Sequence, residues 1–166
     1  MKFLKAIYHL NAIIQYVFLK LLYGSSFVLG RHTTWRKRFS VMIDKEAKVE
    51  IGDNCFFNND CSINANRLIK IGDGAIFGEN VKIYDHNHKF ADLNMAIKDQ
   101  GFSVSEVVIG KHCWIGSNVI ILKGSKIGDN CVIGAGVTVS GEIKPNTIIK
   151  NANNYTVEAI KGAEKL

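Results

Sequence analysis

The amino-acid sequence predicts an all-β solenoid, a chain wound in short strands around a narrow apolar core, with one helix ahead of it and one loop thrown out of it. Three observations carry the prediction. An aliphatic or aromatic residue leads one six-residue block after another across most of residues 43–148, and glycine, aspartate or asparagine recurs just behind it. The rhythm then breaks once, after Ile83, and resumes at Ile109.

The first element is a helix within a capping segment, residues 1–30. Between Lys5 and Lys20 the chain reads AIYHLNAIIQYVFL, apolar but interrupted by His9, Asn11 and Gln15. That run is too short and too polar for a transmembrane helix, and no small-residue cleavage site follows it. Two readings stay open. The helix packs on the end of the domain, or it lies on a membrane surface with lysines at both ends and Tyr8, Tyr16 and Tyr23 near the boundary. The basic run WRKRF (35–39) follows shortly after.

The solenoid itself is expected over residues 31–150. From Ile109 the blocks read IGKHCW, IGSNVI, ILKGSK, IGDNCV, IGAGVT and VSGEIK, led by Ile109, Ile115, Ile121, Ile127, Ile133 and Val139. The fifth place holds Cys113, Val119, Ser125, Cys131, Val137 and Ile143, all small or aliphatic. Earlier blocks start at Ile51, Phe57 and Ile63, then Ile71, Phe77 and Ile83, with two-residue slips at Val49/Ile51 and Ile69/Ile71. A period of six is neither helical nor plain β alternation. It fits a short strand whose lead residue points inward, followed by a sharp corner that takes Gly, Asp or Asn because these tolerate left-handed backbone, as in IGDN at 51–54 and 127–130. Three such sides close a triangular coil, and stacked coils pair strand on strand around a column of Ile, Val, Phe and Cys. Residues 151–166 are expected to form a tail with a short helix.

Cys55, Cys61, Cys113 and Cys131 make no CxxC pair and fall on small apolar repeat positions, which points to reduced thiols in a cytoplasmic chain. The net charge of +6 suits phosphate-bearing partners or an anionic surface. No zinc-finger spacing, basic helix or aromatic RNA-binding motif is present, so nucleic acid is not an expected partner.

The break holds YDHNHKF (84–90) and a polar excursion, a loop over about 89–106. Loops that interrupt a regular scaffold carry function disproportionately. His86, His88 and His112 lie in or beside it.

The blocks match the [LIV]-[GAED]-x-x-[STAV]-x pattern, and residues 51–148 resemble the galactoside, maltose and polysaccharide O-acetyltransferases of the hexapeptide-repeat acyltransferases. The resemblance implies a left-handed parallel β-helix, a homotrimer with active sites between subunits, acetyl-CoA as co-substrate, a saccharide acceptor and no metal. NVKIYDH (80–86) lines up with the segment that carries the family's catalytic base, which makes His86 the candidate; an imidazole suits removal of an alcohol proton. Asp85 either orients a histidine or completes a turn. His88 is a second substrate contact or a solvated loop residue. Trp114, in KHCWIG, either covers a subunit contact or, as the resemblance implies, corresponds to an acceptor-site tryptophan; Asn58 either serves a turn or corresponds to an asparagine that holds the sugar, and Asn66 corresponds more weakly to another contact. Ser117, Ala135, Ser140 and Gly141 fall where backbone groups of late coils bind pantetheine, with the Ser117 N–H a candidate oxyanion donor. The family's G-x-P-A-[KR] segment is replaced: Asn153 stands where proline is expected and Tyr155 where a basic residue meets CoA, leaving Lys144 and Lys150 as substitutes.

Two rivals remain on the sequence. A γ-class carbonic anhydrase would need three converging histidines, for which His86, His88 and His112 supply the number but not the spacing. A non-enzymatic binding solenoid is compatible with the coils but leaves the DHNH break and WIG unexplained. The acceptor reads as a cell-surface polysaccharide or its precursor, with the protein in the cytoplasm, at the inner face of the membrane if the helix touches lipid.

Overall fold

A computed structural model describes residues 2–152. Helix α1 spans Lys2–Tyr23 and leads through a short 3₁₀ turn, Gly24–Ser26, into a parallel β-solenoid. The strands sort into three sheets that form the faces of a prism. The first face stacks Phe27–Leu29, Lys48–Ile51, Leu68–Ile71, Val107–Ile109, Lys126–Ile127 and Glu142–Ile143. The second stacks Thr34–Trp35, Phe56–Phe57, Ile76–Phe77, Trp114–Ile115, Val132–Ile133 and Ile148–Ile149. The third stacks Ser40–Ile43, Ser62–Ala65, Lys82–Tyr84, Ile120–Ile121 and Thr138–Val139.

Every lead residue from Ile51 to Val139 named above is buried, and so are the fifth-place residues from Cys113 to Ile143. The two-residue slips are strands of four residues that turn two side chains inward, Val49 with Ile51 and Ile69 with Ile71. Pairing also begins earlier than the legible repeat, because Phe27, Trp35 and Val41 already occupy inward positions of the first coil.

The corners obey the turn chemistry. Asn54 and Asn130 sit at φ 57°, and Asn80, Asn118 and Asn146 share that left-handed conformation. The amides stack from coil to coil, Asn80 Nδ2 donating to Asn118 Oδ1 at 2.9 Å and Asn130 Nδ2 to Asn146 Oδ1 at 3.1 Å. Glycine is required where coils touch: a Cβ on Gly78 would lie 2.5 Å from the Ser117 backbone nitrogen.

The four cysteines are free and buried, and each thiol donates to a carbonyl of a neighbouring coil, as Cys113 Sγ does to Gly128 O at 3.2 Å. Burial pushes the Cys55, Cys61 and Cys113 thiols up from their ordinary pKa, as desolvation disfavours thiolate.

Helix α1 caps the open end of the first coil. Ala12 and Leu19 are buried, Tyr16 and Tyr23 pack on the core, and Gln15 accepts the Trp35 indole N–H at 2.8 Å while donating to Phe39 O at 2.7 Å. Residues 153–166 lie outside the described residues, and with them Asn153, Tyr155 and nearly all of the expected tail.

Candidate active site

The chain leaves the prism at the corner between the third and first faces, directly after Tyr84. There the excursion starts as an antiparallel ribbon, His86–His88 against Phe102–Val104, with His86 opposite Val104 and His88 opposite Phe102. Gln100 orders its far end, accepting from Asp92 N and donating to the Asp92 and Met95 carbonyls.

Asp85 is the fixed point of this corner. Its side chain is completely buried, yet its charge has partners on every side. Oδ1 accepts the Asn66 N–H at 2.8 Å and Oδ2 the Arg67 N–H at 2.7 Å, both from the coil below. Oδ1 also lies 3.1 Å from His86 Nδ1. The buried carboxylate thus has three hydrogen-bond partners, two backbone N–H groups of the coil below and the His86 ring, so it ties that coil to the imidazole. Because the carboxylate can only accept, Nδ1 is the nitrogen that carries the proton, and in the neutral ring the lone pair sits on Nε2. The ring is held edge-on by Phe102, centroids 5.1 Å apart, and by Tyr84 at 6.3 Å. Its side chain keeps 18% exposure, enough to meet a ligand.

His86 opens into a groove of about 500 Å³ lined by Tyr23, Met42, Asp44, Asn64, Asn66, Tyr84 and Phe102 among others. Asn66 thus lines the same groove as His86. Met42, Asn64 and Tyr84 form one outward ladder on the third face, paired in register, and nothing in the repeat pattern singled them out. Their outward place on the strands next to the DHNH break was the one available signal.

His88 shares the Phe102 ring with His86, at 4.5 Å, but opens into a different hollow formed by the excursion itself. His112 is a corner residue at φ 54°, stacked over Gly74 between the first and second faces, at the next corner of the prism along the chain from that of His86. Among the described residues no group of three or more His, Cys, Asp or Glu is arranged to hold a metal.

The other candidates divide between two edges of the prism. Ser140 and Gly141 turn the same corner as His86, higher in the stack. Asn58, Ser117 and Ala135 turn the corner between the second and third faces, where Asn58 Oδ1 accepts from Arg36 and Ser117 Oγ accepts the Glu79 N–H. Trp114 stands outward and exposed on the second face, between Ile76 and Val132. Lys144 and Lys150 are exposed on the last coil. A single chain therefore presents half of the expected site beside His86 and half on the adjacent edge.

A family model described as bacterial transferase hexapeptide (six repeats) matches residues 106–141. The galactoside O-acetyltransferase of Escherichia coli (strain K12) is 31% identical over 120 residues, covering 72% of this chain and 58% of that protein. The crystal structure of a hexapeptide-repeat containing acetyltransferase from Vibrio cholerae superposes with a TM-score of 0.69 at 26% identity, covering 82% of this chain and 74% of that one. A galactoside acetyltransferase in complex with coenzyme A superposes with a TM-score of 0.60 at 26% identity, covering 84% of this chain and 77% of that one. The chain spans 36% to 58% of the length of four curated relatives that it matches. Repeat, prism and relatives agree, and the chain belongs to the hexapeptide-repeat acyltransferase superfamily.

Proposed function

We propose that this protein transfers an acetyl group from acetyl-CoA to a sugar hydroxyl, with His86 as general base. The observation that carries the reading is the buried Asp85 carboxylate against His86 Nδ1, which directs a basic Nε2 toward an open groove. Coenzyme A in a structure of similar fold and a sugar-acetylating relative support donor and acceptor class.

In the reaction, Nε2 of His86 takes the hydroxyl proton as the sugar oxygen attacks the thioester carbonyl. The tetrahedral intermediate holds its oxyanion on backbone N–H groups, with that of Ser117 as the candidate donor. The C–S bond then breaks, His86 returns the proton to the departing thiolate, and the products are a sugar acetate and CoA. Asp85 keeps the ring in one tautomer and balances the charge of the transient imidazolium. Asn66, Asn64 and Tyr84 supply hydrogen-bonding groups for the acceptor's hydroxyls.

The working assembly is a homotrimer. Its support is the division of the candidates: the His86 edge of one subunit faces the neighbouring subunit's edge carrying Asn58, Ser117 and Ala135, with Trp114 beside it, and acetyl-CoA lies between. Reduced, buried cysteines fit work in the cytoplasm, and a polysaccharide or its precursor is the acceptor.

The test is kinetic. His86→Ala lowers kcat by about 10²–10⁴ in an assay of free thiol release over a panel of mono-, oligo- and nucleotide sugars. Full activity in that variant removes His86 from the mechanism, and no turnover of any sugar by the unaltered chain removes the acceptor class.

A further inference from the structure

Helix α1 presents two unlike sides. One is spent on the solenoid, through Ala12, Gln15, Tyr16, Leu19 and Tyr23. The other carries Leu10, Ile13, Ile14, Val17, Phe18, Leu21 and Leu22, each more than half exposed. Their spacing of three and four residues is that of an amphipathic helix, but this stripe faces away from the protein. Single exposed aliphatics are ordinary; seven in one continuous stripe mark a surface that meets something.

Charge says what. Residues 1–43 hold seven Lys and Arg and not one Asp or Glu, whereas residues 44–166 hold fourteen against fifteen. The entire positive excess therefore belongs to the helix and the first coil. Arg31, Arg36, Lys37 and Arg38 are all exposed on the corners of that coil, beside the cap. Arg31 and Arg38 pair with Asp53 and Asp60 below, and Lys37 lies over the Tyr8 ring. An apolar stripe on the end of the molecule that carries the whole positive excess repels a second copy of itself and attracts an anionic lipid surface. No described helix is long and apolar enough to cross a membrane.

We propose that α1 docks this protein on an anionic bilayer, lying in the interface with its Leu10–Leu22 stripe in the acyl boundary and the first-coil cations against lipid phosphates. Tyr23, at the end of the same helix, forms part of the wall of the His86 groove. Docking thus brings that groove beside the lipid headgroups, where a lipid-linked acceptor would be presented. The docking itself stands independently of acetyl transfer.

The test is co-sedimentation of the full chain with phosphatidylcholine vesicles and with vesicles containing phosphatidylglycerol, beside light scattering for oligomeric mass. The unaltered chain partitions to anionic vesicles at least about tenfold better than to neutral ones, and the preference fades as salt rises from about 0.1 M to about 1 M. Phe18→Glu combined with Leu21→Glu lowers binding by at least about tenfold, with circular dichroism, melting temperature and oligomeric mass unchanged. Arg36→Glu with Lys37→Glu, away from the apolar stripe, abolishes the preference for anionic lipid. Failure of the unaltered chain to bind either vesicle overturns the proposal, as does undiminished binding by the Phe18/Leu21 variant. A Phe18/Leu21 variant that breaks up the oligomer, from a parent that ignores vesicles, assigns the stripe to a contact between copies instead.

Discussion

The coils below the excursion and those above it follow the same winding and differ in girth. Below it, equivalent positions are 22 and then 20 residues apart, and strands on the first and third faces run to four residues. Above it the spacing falls to 18 and then 16, and most strands are two residues long. The inward column of the second face records the change, running Trp35, Phe57, Phe77 and then Ile115 and Ile133. In the wide half, aromatic rings stack at 4.3–4.9 Å along the axis, through Phe39 as well. Extra residues in a coil thus do two things. They enlarge the cross-section so that only aromatic rings fill it, and they lengthen strands so that outward side chains such as Met42 and Asn64 can line a groove. The narrow half is the minimal repeat; the wide half walls the groove into which His86 opens.

The largest test of that contrast is in the core. Phe57→Ala, emptying the middle of the aromatic stack, costs about 3–5 kcal/mol, whereas Ile133→Val in the narrow half costs about 0.5–1.5 kcal/mol. Urea unfolding of both variants measures the difference, and equal losses would break the distinction between the halves. At the junction, Asp85→Asn sets an amide against three donors and leaves a buried group unpaired, at a cost of about 1–3 kcal/mol. It also frees the His86 ring to change tautomer, so kcat falls while the chain stays folded; a drop in stability with kcat intact would make Asp85 purely structural. In the narrow half, Asn130→Ala places a Cβ-bearing residue without an amide in left-handed backbone and loses about 1–2 kcal/mol, and Asn130→Gly recovers most of that strain. The smallest effect is on the thiols: in the native protein at mildly alkaline pH all four resist a thiol reagent, and in denaturant all four react, because burial keeps all four out of reach and also pushes the Cys55, Cys61 and Cys113 thiols up from their ordinary pKa. Reaction of the native chain would show that the core opens.

The narrow half was legible almost residue by residue. One inward side chain per short strand leaves its mark every six positions, so Ile109 to Val139 announced their burial, and Asn54 and Asn130 their left-handed corners. The wide half was harder to read, because each added pair of residues shifts the phase: Phe27, Trp35 and Val41 lie inside the first coil but keep no six-residue step. The sequence singles out His86 because it follows the last regular strand before the break, and gives Asp85 two readings, to which the structure adds the hydrogen bonds to Asn66, Arg67 and His86. Met42, Asn64 and Tyr84 went unnoticed since an outward position carries no periodic constraint. Asn58, Trp114, Ser117 and Ala135, taken from the resemblance, fall on or beside a different edge from His86, a separation that is invisible in one-dimensional spacing.

Asp85 holds more than an imidazole. Its own carbonyl oxygen accepts the Ser105 N–H at 2.8 Å, so the departure and return of the chain are stapled together at one residue. Tyr84 below and Val107 above go on in their own sheets. The intervening segment is therefore a cassette plugged into a socket, and its closure costs little more if it lengthens, since loop entropy grows only slowly with length. A designer can exchange that cassette to remodel what sits over the imidazole while leaving the winding of the prism alone.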